Sequence, residues 1–463
     1  MRFAIYLTIL FSILPIVLMR PFFGLCAYYV VSLLQPKLLC WQPVFPDAML
    51  IGVPLVVGAI AVGVKRHIWE PKLDRKGQII EVQERIIRSP ILEPHWLLGA
   101  CAALVLYISF TRLIVPYPMD NTTSQYRNLL KVIFVMVLLT GLASDLRRYR
   151  ALYIVVALSV AFWAIKGGLK VLFLGPHQVY GKTYDNNYFA LTSVMTLPMV
   201  FYFAMSVKHT RWRSVLLAAS GLICLAVIGS RSRAGFVAFA VVLFCMAWSS
   251  RYRLRAMFAV LLFSGAAMAL SGGEIRDRID SILAFRTDRS ASSRFATWDV
   301  AIELLKQNPV LGVGFNNFEV AKDTFVGGRK AAHNIFLQNL AELGIIGHPI
   351  WLMIVVGSLV SAYMLMRWAR RLPSDMRWAY YWSRGLMLGQ MAFCIHGFFH
   401  NEEYLEQMFV MVGLIVALQV VVRRELYRQK LEASRGAPVV EAPVESTKPA
   451  KQRAWHPGEL VPV

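Results

Sequence analysis

The sequence predicts an all-α, polytopic membrane protein: a transmembrane helical bundle of about 12 spans with one long, mostly helical external loop. Hydrophobic residues make up 57% of the 463 residues and charged residues 16%, whereas an average soluble domain has about 45–50% and roughly a quarter. Mean hydropathy is +0.52, and apolar runs recur along most of the chain. The runs stop between residues 271 and 348, which marks the loop.

The spanning helices are assigned, in chain order, from these apolar runs. Several runs are shorter than the roughly 20 residues of a perpendicular span, so their boundaries are expected to shift by about a turn. No small-residue cleavage site follows the first run, which is read as a retained helix. Arg20 and Pro21 form either a tight turn or a kink, which leaves the N-terminal topology open. The runs cover residues 3–18, 22–35, 47–64, 95–114, 128–142, 151–172, 187–207, 214–229, 236–249, 255–270, 349–366, 384–399 and 405–422.

Positive charge alternates between the connectors. The basic connectors are 65–93, 144–150, 208–213, 250–255, 367–384 and the tail from Arg423, and the positive-inside rule places them in the cytoplasm. The intervening connectors carry few positive charges and are therefore expected outside; they are 36–46, 115–126, 173–186 and 400–404.

Four segments follow from this topology. Residues 1–270 hold the N-terminal transmembrane helices, and residues 271–348 form the external loop with candidate catalytic helices. Residues 349–422 hold the C-terminal transmembrane helices. Residues 423–463 form a cytoplasmic tail, and its Pro-, Ala-, Glu- and Lys-rich end is expected to be disordered.

The charge and cysteine content exclude several classes of protein. The net charge of +22 is concentrated in short connectors, where it sets orientation, so binding of nucleic acid is not expected. The six cysteines lie in or beside apolar runs, without a CxxC pair or a nearby histidine cluster. A disulfide framework and a zinc site are therefore not expected.

The first candidate site is IGSRSRAG at residues 228–235, where Arg231 and Arg233 occupy a short external link between two apolar runs. Arginines at the edge of the membrane either snorkel or face a polar cavity. A guanidinium group binds phosphate in a bidentate manner, so the link is a candidate anion clamp. Gly235 and Ala234 would let this turn approach a ligand closely.

The second candidate lies in residues 286–318. Apolar residues at helical spacing predict a helix over 293–307, capped by Ser292 or Ser293 and stopped by Pro309 and Gly312. Arg294 would then lie in the first turn, where the helix dipole favours an anion. Arg286 and Arg289 add positive charge upstream. The alternative is a solvated, arginine-rich face.

The third candidate is AAHNIFLQNLAELGIIG at residues 331–347. Leu337, Leu340 and Leu343 form an apolar stripe that would dock a helix onto the membrane domain, and Gly344 and Gly347 would end this helix. Asn334 is a candidate N-cap. The helix dipole would keep the preceding His333 neutral, which suits a general base. A buried structural histidine is the alternative.

Weaker candidates lie near the ends of other runs. Lys166, Asn186 and Asn187 flank an external connector, where the asparagines either cap a helix or bind sugar hydroxyls. Arg112 lies near the external end of its run and either contacts an anion or snorkels.

These motifs resemble the bacterial O-antigen ligase and O-antigen polymerase superfamily of membrane glycosyltransferases. Segments 166–191 and 20–39 are similar to the exosortase-associated O-glycosylation ligases. Arg-Ala-Gly replaces the usual Arg-Gly-Ala after Ser232, which leaves the essential arginine open between Arg233 and Arg231. The motifs are carried by Ser232, Arg233, Ala234 and Gly235, by Arg294, Trp298, Asn308, Pro309, Gly312, Gly314 and Asn317, and by His333, Asn334, Leu337, Glu342, Gly344 and Gly347.

The resemblance implies an enzyme of the bacterial inner membrane whose active site faces the periplasm. It would move a polysaccharide from undecaprenyl diphosphate to a lipid A–core sugar hydroxyl, inverting the anomeric carbon, without a metal or cofactor. Arg233 and Arg294 would bind the donor diphosphate, with Arg231, Arg286, Arg289 and Arg112 as further contacts, and His333 would act as base. Asn334, Lys166, Asn186 and Asn187 are further pocket candidates. Beyond membrane lipids, the expected partners are this donor and acceptor.

Three alternatives remain at this stage. A protein hydroxyl or a growing polysaccharide could replace lipid A–core as the acceptor, which would make the protein an O-oligosaccharyltransferase or a polymerase. A transporter or flippase of lipid-linked glycan would also have many spans and arginines at the membrane edge. Transporters often contain internal repeats, and the sequence shows none.

Overall fold

The computed structural model describes residues 2–40, 47–73, 78–89, 94–115, 122–175, 185–250, 252–255, 257–258, 262 and 289–434. Within these residues the chain is almost entirely α-helical, as the sequence predicts. The helices are α1 (Arg2–Met19), α2 (Pro21–Tyr29), α3 (Asp47–Val62), α4 (Trp96–Ile114), α5 (Thr122–Leu142), α6 (Leu146–Leu174), α7 (Asn186–Ser206), α8 (Thr210–Gly229), α9 (Arg233–Trp248), α10 (Arg289–Gln307), α11 (Phe318–Val326), α12 (Ile335–Ala369), α13 (Arg377–Gly397) and α14 (Glu406–Ala433). A π-helical turn (Val30–Leu34) extends α2.

Seven of the described helices are long and apolar enough to cross a membrane: α1, α4, α5, α6, α7, α8 and α12. The shorter apolar helices are 21–34, α3 and α9. The count of about 12 spans is therefore not confirmed. The run at 255–270 lies largely outside the described residues, as does the tail beyond residue 434.

A β-hairpin corrects the expectation of a purely helical chain. Strands β1 (Val64–Leu73) and β2 (Ile79–Ser89) pair within the basic connector 65–93. Lys72 faces Glu81 at 3.4 Å, and Arg85 faces Glu70 at 3.4 Å. Isoleucine and valine recur along β2, and β-branched residues with opposite charges across the strands favour a pleated pair over a helix.

The chain divides into two compact units. The larger contains residues 1–66 and 88–423, and the smaller contains residues 67–87 and 424–463. In the smaller unit, Arg428 lies 5.5 Å from the ring centroid of Trp69 and pairs with Glu425 and Glu432. The remaining description concerns the larger unit.

Helix α7 lies at the centre of the larger unit, with most of its residues buried. It packs against α13, where Gly385 and Gly389 allow close contact; a Cβ at Gly389 would lie 2.7 Å from the carbonyl oxygen of Met195. Small residues permit such close helix contacts inside membranes. The packing fixes the first residues of α7 beside the segment that follows α13.

A small apolar cluster organises the described part of the loop. Leu304 of α10, Phe318 of α11 and Ala341 of α12 meet in it, each at most 2% exposed. Burying side chains such as Leu304 and Phe318 stabilises the arrangement by about 1.5–3 kcal/mol each. Leu337 packs on this cluster. Phe336 packs beside the end of α13, with its ring centroid 4.7 Å from that of Phe398.

The predicted start of the first loop helix is wrong, and so is the predicted end of the second, α12. Helix α10 begins at Arg289 rather than at Ser293, which places Ser292 and Ser293 inside the helix and not at its cap. Arg294 consequently lies in the second turn, beyond the first-turn amides that would attract an anion. Gln307 ends the helix just before Pro309, as expected.

Helix α12 continues past the glycines that were expected to end it. Gly344 breaks its geometry, with φ 64° and ψ −171°, but the chain resumes as helix to Ala369. Gly347 lies within the continuing helix, close to the ring of Tyr107. The loop helix and the following span are thus one kinked element.

Candidate active site

His333 is held at the start of α12 by a capped backbone. The Asn334 side chain accepts hydrogen bonds from the backbone N–H groups of Phe336 (3.0 Å) and Leu337 (3.2 Å), so the predicted N-cap is confirmed. His333 has φ 52°, a left-handed conformation that is uncommon for a residue with a side chain and that clusters at functional sites. The cap fixes the backbone, and with it the direction of the imidazole.

A tryptophan connects α10 to the segment that carries His333. The Trp298 Nε1–H donates a hydrogen bond to the carbonyl oxygen of Ala332 at 2.9 Å. Trp298 and Arg294 are four residues apart and therefore lie on the same face of α10. The bond thus brings the guanidinium-bearing face of α10 to the residue next to His333.

The environment of His333 disfavours its protonation. Partial burial lowers the pKa of His333 below its ordinary value, and the positive charges of Arg294 and Lys330 lower it further, while Asp185 acts in the opposite direction. The imidazole is therefore neutral at pH 7 and can accept a proton. This is the property required of a general base.

The arginine turn of residues 230–233 connects to the start of α7. Ser232 caps α9 by accepting a hydrogen bond from the Gly235 N–H at 3.0 Å, and its hydroxyl donates to Asn187 Oδ1 at 2.6 Å. Arg233 is the first residue of α9. Arg231 has φ 56°, a second left-handed residue in this region. The structure thereby joins the arginine turn to Asn187.

Gly235 serves helix packing rather than ligand approach. It is buried, and a Cβ at this position would lie 2.5 Å from the Cβ of Ala190 in α7. The expectation that Gly235 opens the turn to a ligand is therefore wrong, because α7 already occupies that space.

Asp185 links the arginine turn to the histidines. Its carboxylate caps α7 by accepting from the Tyr188 N–H at 2.7 Å. It is also near enough to influence the pKa of both His333 and His400. Asp185 thus lies two residues before Asn187, the partner of Ser232, and near enough to both histidines to act on them.

His400 is a site residue that the sequence reading missed. It is 2% exposed, and its ring centroid lies 5.3 Å from that of His396. Burial lowers the pKa of His400 to about 4; Asp185 acts to raise this pKa, and His333 and Arg294 act to lower it. The signal was the unusual density of ionisable residues, HNEEYLE, in the short connector after α13.

The glycines of the motifs let two segments, residues 312–316 and the kinked part of α12, lie against each other. The Val313 N–H donates to the Ala341 carbonyl, and the Gly314 N–H donates to the Glu342 carbonyl, both at 2.9 Å. The Glu342 carboxylate accepts from the backbone N–H of Asn316 at 2.9 Å. Gly312 leaves no room for a Cβ beside the Glu342 carbonyl. Glu342 therefore supports the site without facing the reacting groups.

The remaining predicted residues have varied placements. Asn186 is the first residue of α7. Lys166 is exposed on α6, with its Nζ 4.9 Å from the Trp163 ring centroid. Arg112 donates to Thr123 Oγ1 at 3.1 Å and stacks on Tyr126. Arg286 and the side chain of Arg289 lie outside the described residues.

Comparison with known proteins identifies this region. A family model described as O-antigen ligase matches residues 216–352, which contain Arg231, Arg233, Arg294 and His333. No curated protein matches the chain. This match over residues 216–352 supports the resemblance to the O-antigen ligase superfamily that is seen in the sequence.

Proposed function

We propose that the protein is an O-antigen ligase: an inverting, metal-independent glycosyltransferase of the bacterial inner membrane. It moves a polysaccharide from undecaprenyl diphosphate to a sugar hydroxyl of lipid A–core on the periplasmic side. The observation that carries this proposal is the position of a neutral His333 beside Arg294, with the Arg233 turn connected to the same place through Ser232 and Asn187. A base can accept the proton of the acceptor hydroxyl, and the cations beside it can stabilise the diphosphate as it leaves.

The reaction is a single displacement at the anomeric carbon. His333 takes the proton of the acceptor hydroxyl as its oxygen bonds to that carbon, and the bond from this carbon to the diphosphate oxygen breaks. Attack opposite the leaving group inverts the configuration. Arg233 and Arg294 stabilise the negative charge that develops on the diphosphate, and each such contact contributes about 3–4 kcal/mol to lowering a barrier.

Complementation tests the role of His333. A ligase-deletion strain that produces His333→Ala at normal protein levels should display no surface glycan. His209→Ala, which replaces an exposed histidine before α8, is the matched control and should restore display. Full display with His333→Ala would contradict the assignment of the base.

Metal independence has a separate test. Purified protein should retain its transfer rate in EDTA, because the arginines supply the positive charge. A loss of activity that a divalent cation restores would contradict this part of the proposal.

A protein acceptor is the second candidate, because segments 166–191 and 20–39 resemble O-glycosylation ligases. Labelled glycan in the native strain should end on lipid A–core; label on protein, or on lengthened polymer, would favour the alternative enzyme. Joining of donor and acceptor by purified protein in detergent would exclude a pure transporter, because detergent leaves no compartments to transport between.

A further inference from the structure

A polar cavity of about 410 Å³ lies beside the histidines and is not used by the proposed displacement. Its volume falls in the range of roughly 300–1,000 Å³ that small-molecule sites occupy. Glu402 lines the cavity, and Asp185, which influences His333, also influences Glu402. A ligand in the cavity would therefore lie near Asp185, which also acts on the candidate base.

The lining combines amides and carboxyls from distant parts of the chain. Amide side chains donate and accept hydrogen bonds at once, which suits the hydroxyl groups of a sugar. Five of them line the cavity: Gln35, Gln125, Asn128, Asn316 and Asn401. Gln35 and Asn316 also have positive φ, at 51° and 56°, and backbone strain of this kind collects at binding sites.

Glu403 lines the cavity with a carboxyl group whose hydrogen bonds are incomplete. The residue is 5% exposed, and among the described residues its buried Oε1 has no hydrogen-bond partner. Leaving such an atom without a partner costs about 1–3 kcal/mol. A hydroxyl or amino group of a bound molecule would supply the missing hydrogen bond.

The charges of the lining define which sugars fit. Lys37 pairs with Asp47 at 3.2 Å, and Lys131 lies near Glu406, so other carboxylates already offset both lysines. Glu402 and Glu403 remain. Burial, together with the charge of Asp185, raises the pKa of Glu402 to about 7, and burial raises the pKa of Glu403 further. A protonated Glu403 donates a hydrogen bond to a hydroxyl, whereas the fraction of Glu402 that is ionised near pH 7 attracts ammonium groups and repels anions.

We propose that this cavity is a sugar subsite that accepts neutral or amino sugars and disfavours sugars that carry a carboxylate or phosphate group. In this arrangement Arg233 and Arg294 bind the diphosphate, and the cavity lined by Glu402 and Glu403 binds sugar. Sugar binding itself does not depend on the proposed function, whereas its assignment to donor or acceptor glycan rests on that function.

Binding is tested by saturation-transfer NMR on the purified full-length protein in detergent, with glucose, glucosamine and glucuronic acid as probes. Glucose and glucosamine should give signals at least threefold stronger than glucuronic acid at equal concentration. Glu403→Gln should weaken the glucosamine signal at least threefold, and Glu84→Gln, an exposed glutamate of β2 that does not line the cavity, should leave it unchanged. Asn128→Ala, at an exposed position, should weaken the signals of glucose and glucosamine even if Glu403→Gln fails to fold. Equal signals for all three probes, or variants that behave like the wild type, would overturn the proposal.

Steady-state kinetics distinguishes whether the cavity binds sugar of the acceptor or sugar of the donor glycan. Glu403→Gln and Asn128→Ala should raise the KM of one substrate at least fivefold while kcat changes less than threefold. An effect on the acceptor KM assigns the cavity to the acceptor, and an effect on the donor KM assigns it to the donor glycan. If neither KM changes by more than twofold, the subsite is not used and the proposal is wrong. A wild-type protein that binds sugar but transfers none would contradict the proposed function alone.

Discussion

At the scale of single residues, the site depends on the charges that surround one imidazole. Burial and then the charges of Arg294 and Lys330 hold the pKa of His333 down, and Asp185 opposes them. The sequence predicts a neutral His333 from its position at a helix N-terminus. The structure adds the burial and the individual charges that act on the ring.

The charges next to His333 should shift the pH dependence of the reaction in opposite directions. A neutral base is needed, so kcat/KM should fall as pH decreases through the pKa of His333, below the usual 6.5 of histidine. Lys330→Gln removes a positive charge, raises this pKa and should move the acidic limb to higher pH. Asp185→Asn keeps a capping side chain, lowers this pKa and should move the limb to lower pH.

The matched control for these variants is Arg329→Gln. Arg329 neighbours Lys330 in the chain but lies against Asp323, at 3.4 Å. Its replacement should leave the acidic limb where it is. Shifts of the same sign in Lys330→Gln and Asp185→Asn would show that His333 does not set the profile.

At the scale of elements, the contacts between α10 and α12 determine whether the reacting groups meet. Sequence periodicity correctly predicts a helix near residues 293–307, but it misplaces the start by four residues. Serine and alanine are acceptable within a helix, so the sequence signal for a cap was ambiguous. Nothing in the sequence pairs Trp298 with the Ala332 carbonyl, because the two residues are distant in the chain.

Trp298→Phe should weaken catalysis more than folding. The change removes the Nε1–H donor to Ala332 but keeps an aromatic ring in the cluster. Loss of one such hydrogen bond costs about 1 kcal/mol of stability. Displacement of Arg294 should lower kcat by about tenfold or more, since misplaced catalytic groups are costly. Turnover and thermal unfolding of the purified variant test this; unchanged kcat would show that the bond does not position Arg294.

Gly344→Ala should destabilise the protein through the kink of α12. The backbone angles at Gly344 belong to a region that is open almost only to glycine, and a Cβ there would overlap the Val310 carbonyl oxygen. We expect a loss of about 1–3 kcal/mol or more, seen as a lower Tm and reduced abundance.

Gly327→Ala is the matched control for Gly344→Ala, because it introduces backbone strain without steric overlap. Gly327 has similar angles, φ 76° and ψ 150°, and a Cβ there would meet no atom within 4 Å. Its Tm should fall less than that of Gly344→Ala. Equal losses would show that the contact between the kink and residues 309–314 adds nothing.

At the scale of the whole molecule, the alternating charge of the connectors predicts which of them share a side. Residues from all four of the weakly charged connectors do meet: Lys37, Gln125 and Asn401 line the cavity, and Asp185 lies beside it. The β-hairpin in a basic connector was missed, because apolar periodicity was used only to find helices.

Cysteine labelling tests the orientation of the whole chain. In a background without the six native cysteines, Glu319→Cys should react with an impermeant maleimide in cells whose outer membrane alone is permeabilised. Ser374→Cys should react only after the inner membrane is opened. Both positions are exposed. The reverse pattern would place the candidate site in the cytoplasm and contradict the periplasmic reaction.

The sequence by itself predicted the helical membrane class, the resemblance to the O-antigen ligase superfamily, and His333, Arg294 and Arg233 as candidate residues. Composition and short motifs carry these properties, and both can be recognised without a three-dimensional structure. The tertiary structure alone decided that Asp185 and His400 join them, that the motif glycines hold α12 against the loop, and that a carboxyl-lined cavity lies alongside. These features arise from contacts between distant segments, and burial and electrostatic coupling depend on distances in space rather than on spacing in the chain.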